Sequence, residues 1–253
     1  MPVEEDPSRG PAGRVLLDAA GAPIGRYDHA LRGNGPIADL FAREPGVSVD
    51  RAAAAVLAEL RGTRIAADEE LGRALLAAGG TKVRHGHLYT YDFARRPPPR
   101  DWEAPPRVRL TDVDRPAADL VDAYGAAYPP AHPDHGLVTG DVADELAAII
   151  ERGQYGPLLA GSGLAVDEDG AVVGAVLIGT LEGGAPPVYG PWVIDVFRDP
   201  AWPGVGRALM LRALALADYV TLGLIVTDGN DGARRLYESL GFDLVLSSLV
   251  VQL

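Results

Sequence analysis

The sequence predicts an α/β protein in which a mixed sheet is flanked by helices, preceded by a smaller N-terminal α/β part. In the C-terminal part, short apolar runs of strand length alternate with longer segments whose apolar residues recur at helical spacing. In the N-terminal part, two helical segments lie between shorter apolar runs. A proline-rich stretch separates the two parts, and an apolar content of 47% is enough for a substantial core in each.

The proline-rich stretch comprises residues 94–106. Closely spaced prolines fit neither a helix nor a central strand, so we expect a stiff, extended linker. Residues 1–13 are polar and contain Pro and Gly, and we expect a flexible N-terminus there. The sequence therefore predicts an N-terminal α/β part over residues 14–93 and a larger domain over residues 107–253.

The larger domain is predicted to have the element order β-α-α-β-β-β-α-β-α-β. Pro116 suits a helix start, where its missing N–H costs nothing, and Asp141 suits an N-cap. Glu168-Asp169-Gly170 is a hairpin turn signal. The predicted helices are 116–128, 141–152, 204–219 and 230–240. The predicted strands are 108–110, 164–167, 172–178, 188–197 and 222–227, and residues 242–253 form a closing strand or a strand pair.

The N-terminal part is predicted to contain a hairpin, two helices and a long strand: 15–17 with 24–26, then 49–60, 69–78 and 82–93. Its second half has the order strand, acid-bearing turn, helix, glycine, long strand. The last thirty or so residues of the chain show the same order when Gly79 is set against Gly241. The order indicates either a degenerate internal repeat or a coincidence, since αβ units are common. In the repeat, Leu75 falls at the position of Tyr237.

Composition limits the classes of partner. The net charge of −12 opposes nucleic-acid binding, which needs a basic surface. The same charge either attracts a cationic partner such as an amine or simply keeps the protein soluble. The chain has no cysteine, no apolar run of transmembrane length and no signal-peptide pattern at its acidic start. We therefore expect a cytoplasmic protein that binds neither nucleic acid nor membrane, and a homodimer remains open.

The stretch from Val193 to Leu209 is the most informative. An apolar strand runs into a Pro/Gly turn, and the turn opens directly into a helix. The first-turn amides of a helix have no intrahelical partner and lie at its positive end, so they suit a phosphate. The turn lacks the third glycine of a dinucleotide fingerprint and the Gly-Lys-Ser/Thr of a P-loop. It is therefore either a pyrophosphate cradle of another kind or a tight turn without a ligand.

A second motif narrows the choice. It reads Asn230-Asp-Gly-Ala-Arg-Arg-Leu-Tyr-Glu-Ser-Leu-Gly-Phe242. Together with the Gly204-Val-Gly206 turn and the order of elements, it resembles the GNAT superfamily of acyl-CoA-dependent N-acyltransferases over about residues 108–253. The resemblance implies a twisted, mostly antiparallel sheet flanked by helices. It also implies N-acetyltransferase activity, in which an acetyl or other small acyl group passes directly from acetyl-CoA to a small-molecule or peptide amine.

The resemblance also implies roles for individual residues. Tyr237 would protonate the leaving thiolate, or else its ring is core with the hydroxyl bonded elsewhere. Asp195 is a candidate base, or else it pairs with an arginine or a backbone amide. Asn230 would touch the coenzyme. The remaining coenzyme contacts would come from the strand and the turn: Val196, Phe197, Arg198, Gly204, Val205, Gly206, Arg207 and Ala208.

The Pro-rich loop after the first helix of the domain borders the acceptor site in the resembled family. Tyr128, His132 and His135 are the candidate acceptor residues, or else this is a rigid surface loop. No metal site is expected, because no third or fourth ligand accompanies the histidines. Ala201 departs from the family pattern, and Pro203 removes an N–H before Gly204. A catalytically inactive acyl-CoA-binding or protein-interaction module therefore stays as the alternative function.

Overall fold

The computed structural model of the chain describes residues 3–32, 35–99, 102–135, 140–182 and 189–253. These residues form two compact units. Unit 1 holds the residues up to Leu88 together with Leu244–Leu253, and unit 2 holds residues 89–182 and 189–243. Three predicted segments extend partly outside the described residues, at positions 1–2, 100–101 and 188.

In chain order the elements are β1 (Val3–Glu5), β2 (Gly13–Leu17), β3 (Pro23–Arg32), β4 (Gly35–Arg43), α1 (Val49–Glu59), β5 (Arg64–Asp68), α2 (Glu69–Ala77), β6 (Thr81–Asp92), β7 (Val108–Thr111), α3 (Val121–Ala127), α4 (Val142–Ile150), β8 (Gly163–Asp167), β9 (Val172–Leu181), β10 (Gly190–Arg198), α5 (Val205–Leu216), β11 (Thr221–Thr227), α6 (Asp231–Leu240) and β12 (Asp243–Gln252). Short 3₁₀ turns occupy Pro7–Arg9 and Ala117–Leu120.

Unit 1 has the strand order β1-β2-β3-β4-β5-β12-β6, with residues 81–88 of β6 in this unit. The β4–β5 pair is parallel, whereas β1–β2, β2–β3, β3–β4 and β5–β12 are antiparallel. Helices α1 and α2 pack on the sheet through an apolar core that includes Val56, Ile65 and Leu71. Because β12 pairs with β5, the end of the chain belongs to unit 1. The division therefore differs there from the predicted boundaries of 14–93 and 107–253.

Unit 2 has the strand order β11-β10-β9-β8-β7, and it also holds residues 89–92 of β6. The β10–β11 pair is parallel, and the pairs from β10 to β7 are antiparallel. Apolar clusters form on two sides of this sheet. One contains α5 and Tyr237 of α6, and the other contains α3 and α4. The mixed, mostly antiparallel α/β fold predicted from the sequence is confirmed.

The predicted helices and strands occur within a few residues of their expected ends, with three differences. The helix predicted over 116–128 begins as a 3₁₀ turn, which is the first difference, whereas the single strand β12 is one of the two arrangements predicted for residues 242–253. Strand β4 was not predicted. Val3–Glu5, predicted to be flexible, pairs with β2, and the next residue, Asp6, accepts hydrogen bonds from Ser8 and forms an ion pair with Arg26 at 2.7 Å.

The structure extends the internal repeat. The chain from β2 to β6 and the chain from β8 to β12 follow the same order of strands and helices. In each, two antiparallel pairs precede a parallel pair whose strands are joined by a helix, namely α1 or α5. The third strand of each copy also contains a register shift. This shared order and pairing favour a repeat over coincidence.

Candidate active site

Strand β10 separates from its parallel neighbour β11 soon after the two meet. In the described residues the two strands share one ladder pair, Trp192 with Gly223. On its other edge β10 stays paired with β9, but the register shifts between Val193 and Asp195. Backbone N–H and C=O groups strongly favour a hydrogen-bonding partner. The edge of β10 that faces β11 beyond Trp192 is therefore able to pair with an extended, amide-containing ligand.

The bulge also decides which way the side chains point. Val193 and Val196 pack in the cluster of α5 and α6, whereas Ile194 and Phe197 pack in the cluster of α3 and α4. Asp195 follows the bulge, and its carboxylate accepts a hydrogen bond from the Tyr128 hydroxyl on the α3 side. Asp195 and Phe197 therefore lie on the face of β10 opposite Val196. Asp195 thus lies just after the bulge, in the part of β10 beyond its last pair with β11.

Helix α5 begins at the end of a short turn after β10. Its N-cap is Gly204, at a φ of 86° that favours glycine, and no side chain caps the helix. The amides of Gly206 and Arg207 precede the first i→i−4 bond, from Ala208 N–H to Gly204 C=O, and donate to no acceptor in the described part of the chain. A Cβ on Gly206 would have one neighbour within 4 Å, the Arg198 Cδ at 3.9 Å. The start of α5 can therefore receive an anion.

Fewer backbone amides are available to a phosphate at the start of α5 than the sequence predicted. The Ala208 amide bonds to Gly204, and the Val205 amide lies 3.5 Å from the Trp202 carbonyl, so neither is free for a ligand. The Ala201 N–H donates to the Asp199 carboxylate, which orders the turn. These hydrogen bonds lie within the turn and the first turn of α5, and the Gly-x-Gly spacing did not indicate them. The amides of Gly206 and Arg207 remain.

The two predicted arginines lie beside this helix start. Arg198 places its stem over Gly206, and its guanidinium donates to the Asp199 carbonyl at 3.1 Å. Arg207 is exposed, and its guanidinium donates to the Ser239 hydroxyl of α6 at 3.0 Å. Both bonds are to neutral groups, so both positive charges remain available to an anion at the helix start.

Tyr128 and Asp195 form a hydrogen-bonded pair in the site. The Tyr128 hydroxyl donates to the Asp195 carboxylate at 2.6 Å. Burial raises the pKa of the Tyr128 phenol well above its ordinary value, and the neighbouring Asp195 carboxylate raises it further. The ring of Tyr124, one helical turn earlier, lies 4.7 Å from that of Tyr128 and 5.2 Å from that of Phe197. Tyr124 was not predicted, although its i−4 spacing from Tyr128 is a usable signal.

Asp134 ties the loop after α3 to the end of β11 and the start of α6. Its carboxylate accepts a hydrogen bond from the Thr227 hydroxyl and lies 3.4 Å from the Asn230 amide nitrogen. Asn230 also caps α6 by accepting the Ala233 N–H. Asn230, predicted to touch a coenzyme, is therefore engaged in holding this loop. Thr227 is a second residue that sequence reasoning missed.

The two predicted histidines shape the same loop. His132 Nδ1 accepts the Asp134 N–H at 3.1 Å, and the imidazole lies edge-on to the Tyr128 ring at 5.0 Å. His135 Nδ1 lies 2.8 Å from the Tyr128 carbonyl. In the described residues no group of three His, Cys, Asp or Glu side chains is placed to hold a metal ion.

Tyr237 lies on the buried face of α6, and its side chain is 6% exposed. Its ring packs against Phe242 at 5.8 Å. Unlike the buried Tyr89, which donates to Glu238, Tyr237 makes no hydroxyl hydrogen bond within the described residues. Burial raises the pKa of the Tyr237 phenol, and the Asp195 and Asp134 carboxylates add to the increase. The phenol is therefore neutral at physiological pH and near both carboxylates.

A family model described as the acetyltransferase (GNAT) family matches residues 118–242. A search of curated proteins found no match. Among solved structures, a GCN5-related N-acetyltransferase from Sphaerobacter thermophilus is similar with a TM-score of 0.58 at 15% identity, covering 96% of this chain and 80% of that one. A functionally unknown conserved protein from Staphylococcus epidermidis has a TM-score of 0.52 at 14% identity, covering 94% and 93%.

A third similar structure is described as a tandem GNAT protein from the clavulanic acid biosynthesis pathway. Its TM-score is 0.50 at 16% identity, and the similarity covers 95% of this chain and 82% of that one. At these identities the likeness concerns the fold. None of the helices in the described residues has the length and apolarity of a membrane span. The family match identifies residues 118–242 as a domain of the acetyltransferase (GNAT) family.

Proposed function

We propose that unit 2 transfers an acetyl or other small acyl group from its coenzyme A thioester to a primary amine. The observation that carries the proposal is the separation of β10 from β11 directly before the uncapped start of α5. Coenzyme A joins an amide-rich arm to a pyrophosphate. The unpaired strand edge suits the arm, and the amides of Gly206 and Arg207 suit the phosphate.

Attack is direct in this proposal, because the chain has no cysteine to form a thioester intermediate. The lone pair of a neutral amine attacks the thioester carbonyl carbon, the C–N bond forms and the C–S bond breaks. The amine gives one proton to Asp195, directly or through water, and the departing thiolate takes one proton from the Tyr237 hydroxyl. The products are an amide and free coenzyme A, and solvent takes the proton from Asp195 and returns one to Tyr237.

The backbone after the bulge has a further role in this step. A negative charge develops on the carbonyl oxygen during attack, and an N–H placed beside that oxygen stabilises it. Val196 follows Asp195 on the strand and is the candidate donor. Tyr128 is assigned to hold Asp195 in position through its 2.6 Å hydrogen bond.

Two measurements on the full chain test the proposal. Calorimetry with acetyl-CoA comes first. Absence of binding at physiological concentrations would contradict both the enzyme hypothesis and the alternative of an inactive acyl-CoA-binding module. Thiol release with a panel of primary amines comes second. Binding with acetyl transfer supports the enzyme, whereas binding without transfer to any amine supports the catalytically inactive acyl-CoA-binding module.

A further inference from the structure

We propose that Thr227 and Asp134 are positioning residues for acyl transfer and hold Asp195 in place through Tyr128. This inference rests on the proposed function, in which Asp195 takes a proton from the amine. Thr227 and Asp134 are assigned no contact with the reacting atoms. Their effect passes through the loop of residues 129–135, which follows α3 and contacts the end of β11.

The far end of this loop is fixed to the backbone between β11 and α6. The Asp134 carboxylate accepts a hydrogen bond from the hydroxyl of Thr227, the last residue of β11, and lies 3.4 Å from the Asn230 amide nitrogen. Asn230 is also the N-cap of α6. A Cβ built on Gly229 would lie 3.7 Å from the Pro133 Cγ, so the loop packs closely on the turn between the two elements.

Contacts within the loop connect this anchor to Tyr128. His132 Nδ1 accepts the Asp134 N–H at 3.1 Å and lies 3.7 Å from the Asp134 carboxylate. The His132 imidazole lies edge-on to the Tyr128 ring, with 5.0 Å between the ring centroids. The His135 N–H donates to the His132 carbonyl at 2.9 Å, and His135 Nδ1 lies 2.8 Å from the Tyr128 carbonyl. The loop therefore contacts both the backbone and the ring of Tyr128.

Tyr128 in turn contacts the candidate base. Its hydroxyl donates to the Asp195 carboxylate at 2.6 Å. Its ring lies 4.7 Å from that of Tyr124, which lies 5.2 Å from that of Phe197. This packing restricts the ring, and the loop contacts restrict the backbone that carries it. A misplacement of about 1 Å at a reacting group can lower a rate severely, so the position of the loop bears on the proton transfer at Asp195.

A role in stability alone has a different consequence. Loss of the bond between Thr227 and Asp134 would then lower the free energy of unfolding of unit 2 and leave kcat of the folded protein unchanged. Positioning predicts a lower kcat that depends on the Tyr128 hydroxyl, because the restraint reaches Asp195 through that hydroxyl. Acetyl-CoA affinity should not change in either case, since the proposed coenzyme contacts lie on β10 and at the start of α5.

A matched pair of substitutions tests the Thr227 hydroxyl. Thr227→Val keeps the shape and removes the hydroxyl, whereas Thr227→Ser keeps the hydroxyl. Thiol release is measured at saturating acetyl-CoA with the primary amine that reacts fastest in the panel, and calorimetry measures acetyl-CoA affinity. We expect Thr227→Val to lower kcat about tenfold at unchanged affinity, because a hydrogen bond to a carboxylate is lost, and Thr227→Ser to restore most of kcat.

Thr90→Val is the control for this substitution. The Thr90 hydroxyl belongs to the same unit, is buried and has no hydrogen-bond partner among the described residues. Its removal should therefore leave kcat unchanged.

A double-mutant cycle with Tyr128→Phe separates positioning from stability. If the restraint passes through the Tyr128 hydroxyl, Thr227→Val should change kcat less than about twofold in the Tyr128→Phe background. Loss of kcat by the same factor in both backgrounds would overturn the inference, and so would a wild-type kcat in Thr227→Val itself.

Substitutions of Asp134 test the same bond from its other side, and they decide the matter if Thr227→Val does not fold. Asparagine keeps an acceptor for the Thr227 hydroxyl, so Asp134→Asn should retain more of kcat than Asp134→Ala. A wild-type kcat in Asp134→Ala overturns the inference and leaves acyl transfer intact. Absence of transfer by the wild-type protein to every amine of the panel overturns the proposed function, and this inference with it.

Discussion

Helices α1 and α5 follow the third strand of each repeat and open with nearly the same residues, but they present different chemistry. Val49-Asp50-Arg51-Ala52 opens α1, and Val205-Gly206-Arg207-Ala208 opens α5. In α1 the Ser48 side chain accepts the Arg51 N–H, and Asp50 puts a carboxylate in the first turn. In α5 the cap is a glycine, and the first turn holds no acid. An anion is repelled from α1 and attracted to α5.

The strands before these helices also differ, in how far each stays paired with its parallel neighbour. In unit 1, β4 and β5 remain paired from Ile37–Arg64 to Phe41–Ala67 across the bulge at Leu40. In unit 2, β10 and β11 share one pair among the described residues, Trp192 with Gly223. Unit 1 therefore keeps a closed sheet where unit 2 opens. One order of elements can thus give a purely structural unit or a ligand site, depending on strand pairing and helix capping.

Unit 1 does contain a cleft, of about 510 Å³, beside the β4–α1 loop. Its lining arginine, Arg43, donates to Glu70 at 2.7 Å and lies 3.5 Å from Asp68. That positive charge is already compensated, so the cleft does not reproduce the anion site of unit 2. Leu75, at the repeat position of Tyr237, is fully buried and has no proton to give.

The largest expected effect concerns Tyr237, the group that unit 1 replaces with leucine. Tyr237→Phe should lower kcat about 100-fold or more with little change in acetyl-CoA affinity, because the ring remains and the proton donor is lost. Steady-state thiol release and calorimetry measure the two quantities. Tyr89→Phe removes another buried hydroxyl of unit 2, one that bonds to Glu238, and should leave kcat nearly unchanged. An unchanged kcat in Tyr237→Phe would remove the acid role.

The next effect comes from giving α5 the first turn of α1. Gly206→Asp should weaken acetyl-CoA binding at least about tenfold, because it places a carboxylate beside the pyrophosphate. The fold should tolerate it, since a Cβ at Gly206 meets little and an acid suits a helix start. Gly206→Ala is the matched control and should bind nearly as wild type does. Equal affinities for all three proteins would place the pyrophosphate elsewhere.

A smaller effect is expected for the cap of α1. Ser48→Ala loses the hydrogen bond to Arg51 and should reduce the free energy of unfolding of unit 1 by about 1 kcal/mol. Denaturant unfolding, monitored by hydrogen exchange of the α1 amides, measures this loss. Acetyl-CoA affinity should not change, and a weaker affinity in this variant would show that unit 1 takes part in coenzyme binding.

The smallest effect is expected from alkaline pH. Burial and the two carboxylates raise the pKa of Tyr237 above its ordinary value of 10, so the phenol keeps its proton as pH rises through neutrality. We expect kcat at saturating substrates to show no descending limb between pH 8 and about pH 9.5. A fall of kcat with a midpoint inside this range would contradict a protonated Tyr237 as the working form.

The sequence was sufficient for the elements with regular periodicity and insufficient where the backbone is irregular. Helices α1, α2, α5 and α6 follow from apolar spacing and capping residues. Strand β4 was missed because the bulge at Leu40, with a φ of 51°, interrupts the alternation that identifies a strand. The pairing of β12 with β5 joins segments that are far apart in the sequence, and no local sequence pattern indicates it.

The residues of the candidate site likewise fall into those that local sequence motifs predict and those that they do not. The start of α5 and the position of Tyr237 follow from local motifs. The bond between Thr227 and Asp134 joins residues 93 positions apart, and periodicity does not indicate such pairs. The Val-x-Arg-Ala tetrapeptides that open α1 and α5 were a usable signal for the repeat, because they align the two helix starts residue by residue.

Hydrogen exchange of the full chain, with and without saturating coenzyme A, tests most directly whether the coenzyme binds to unit 2 alone. Gly206 and Arg207 have amides without a partner among the described residues, so both should exchange quickly in the free protein and slowly in the complex. Residues 193–198 should also gain protection, and residues 45–51 of unit 1 should not. Protection at 45–51 without protection at Gly206 and Arg207 would contradict the account.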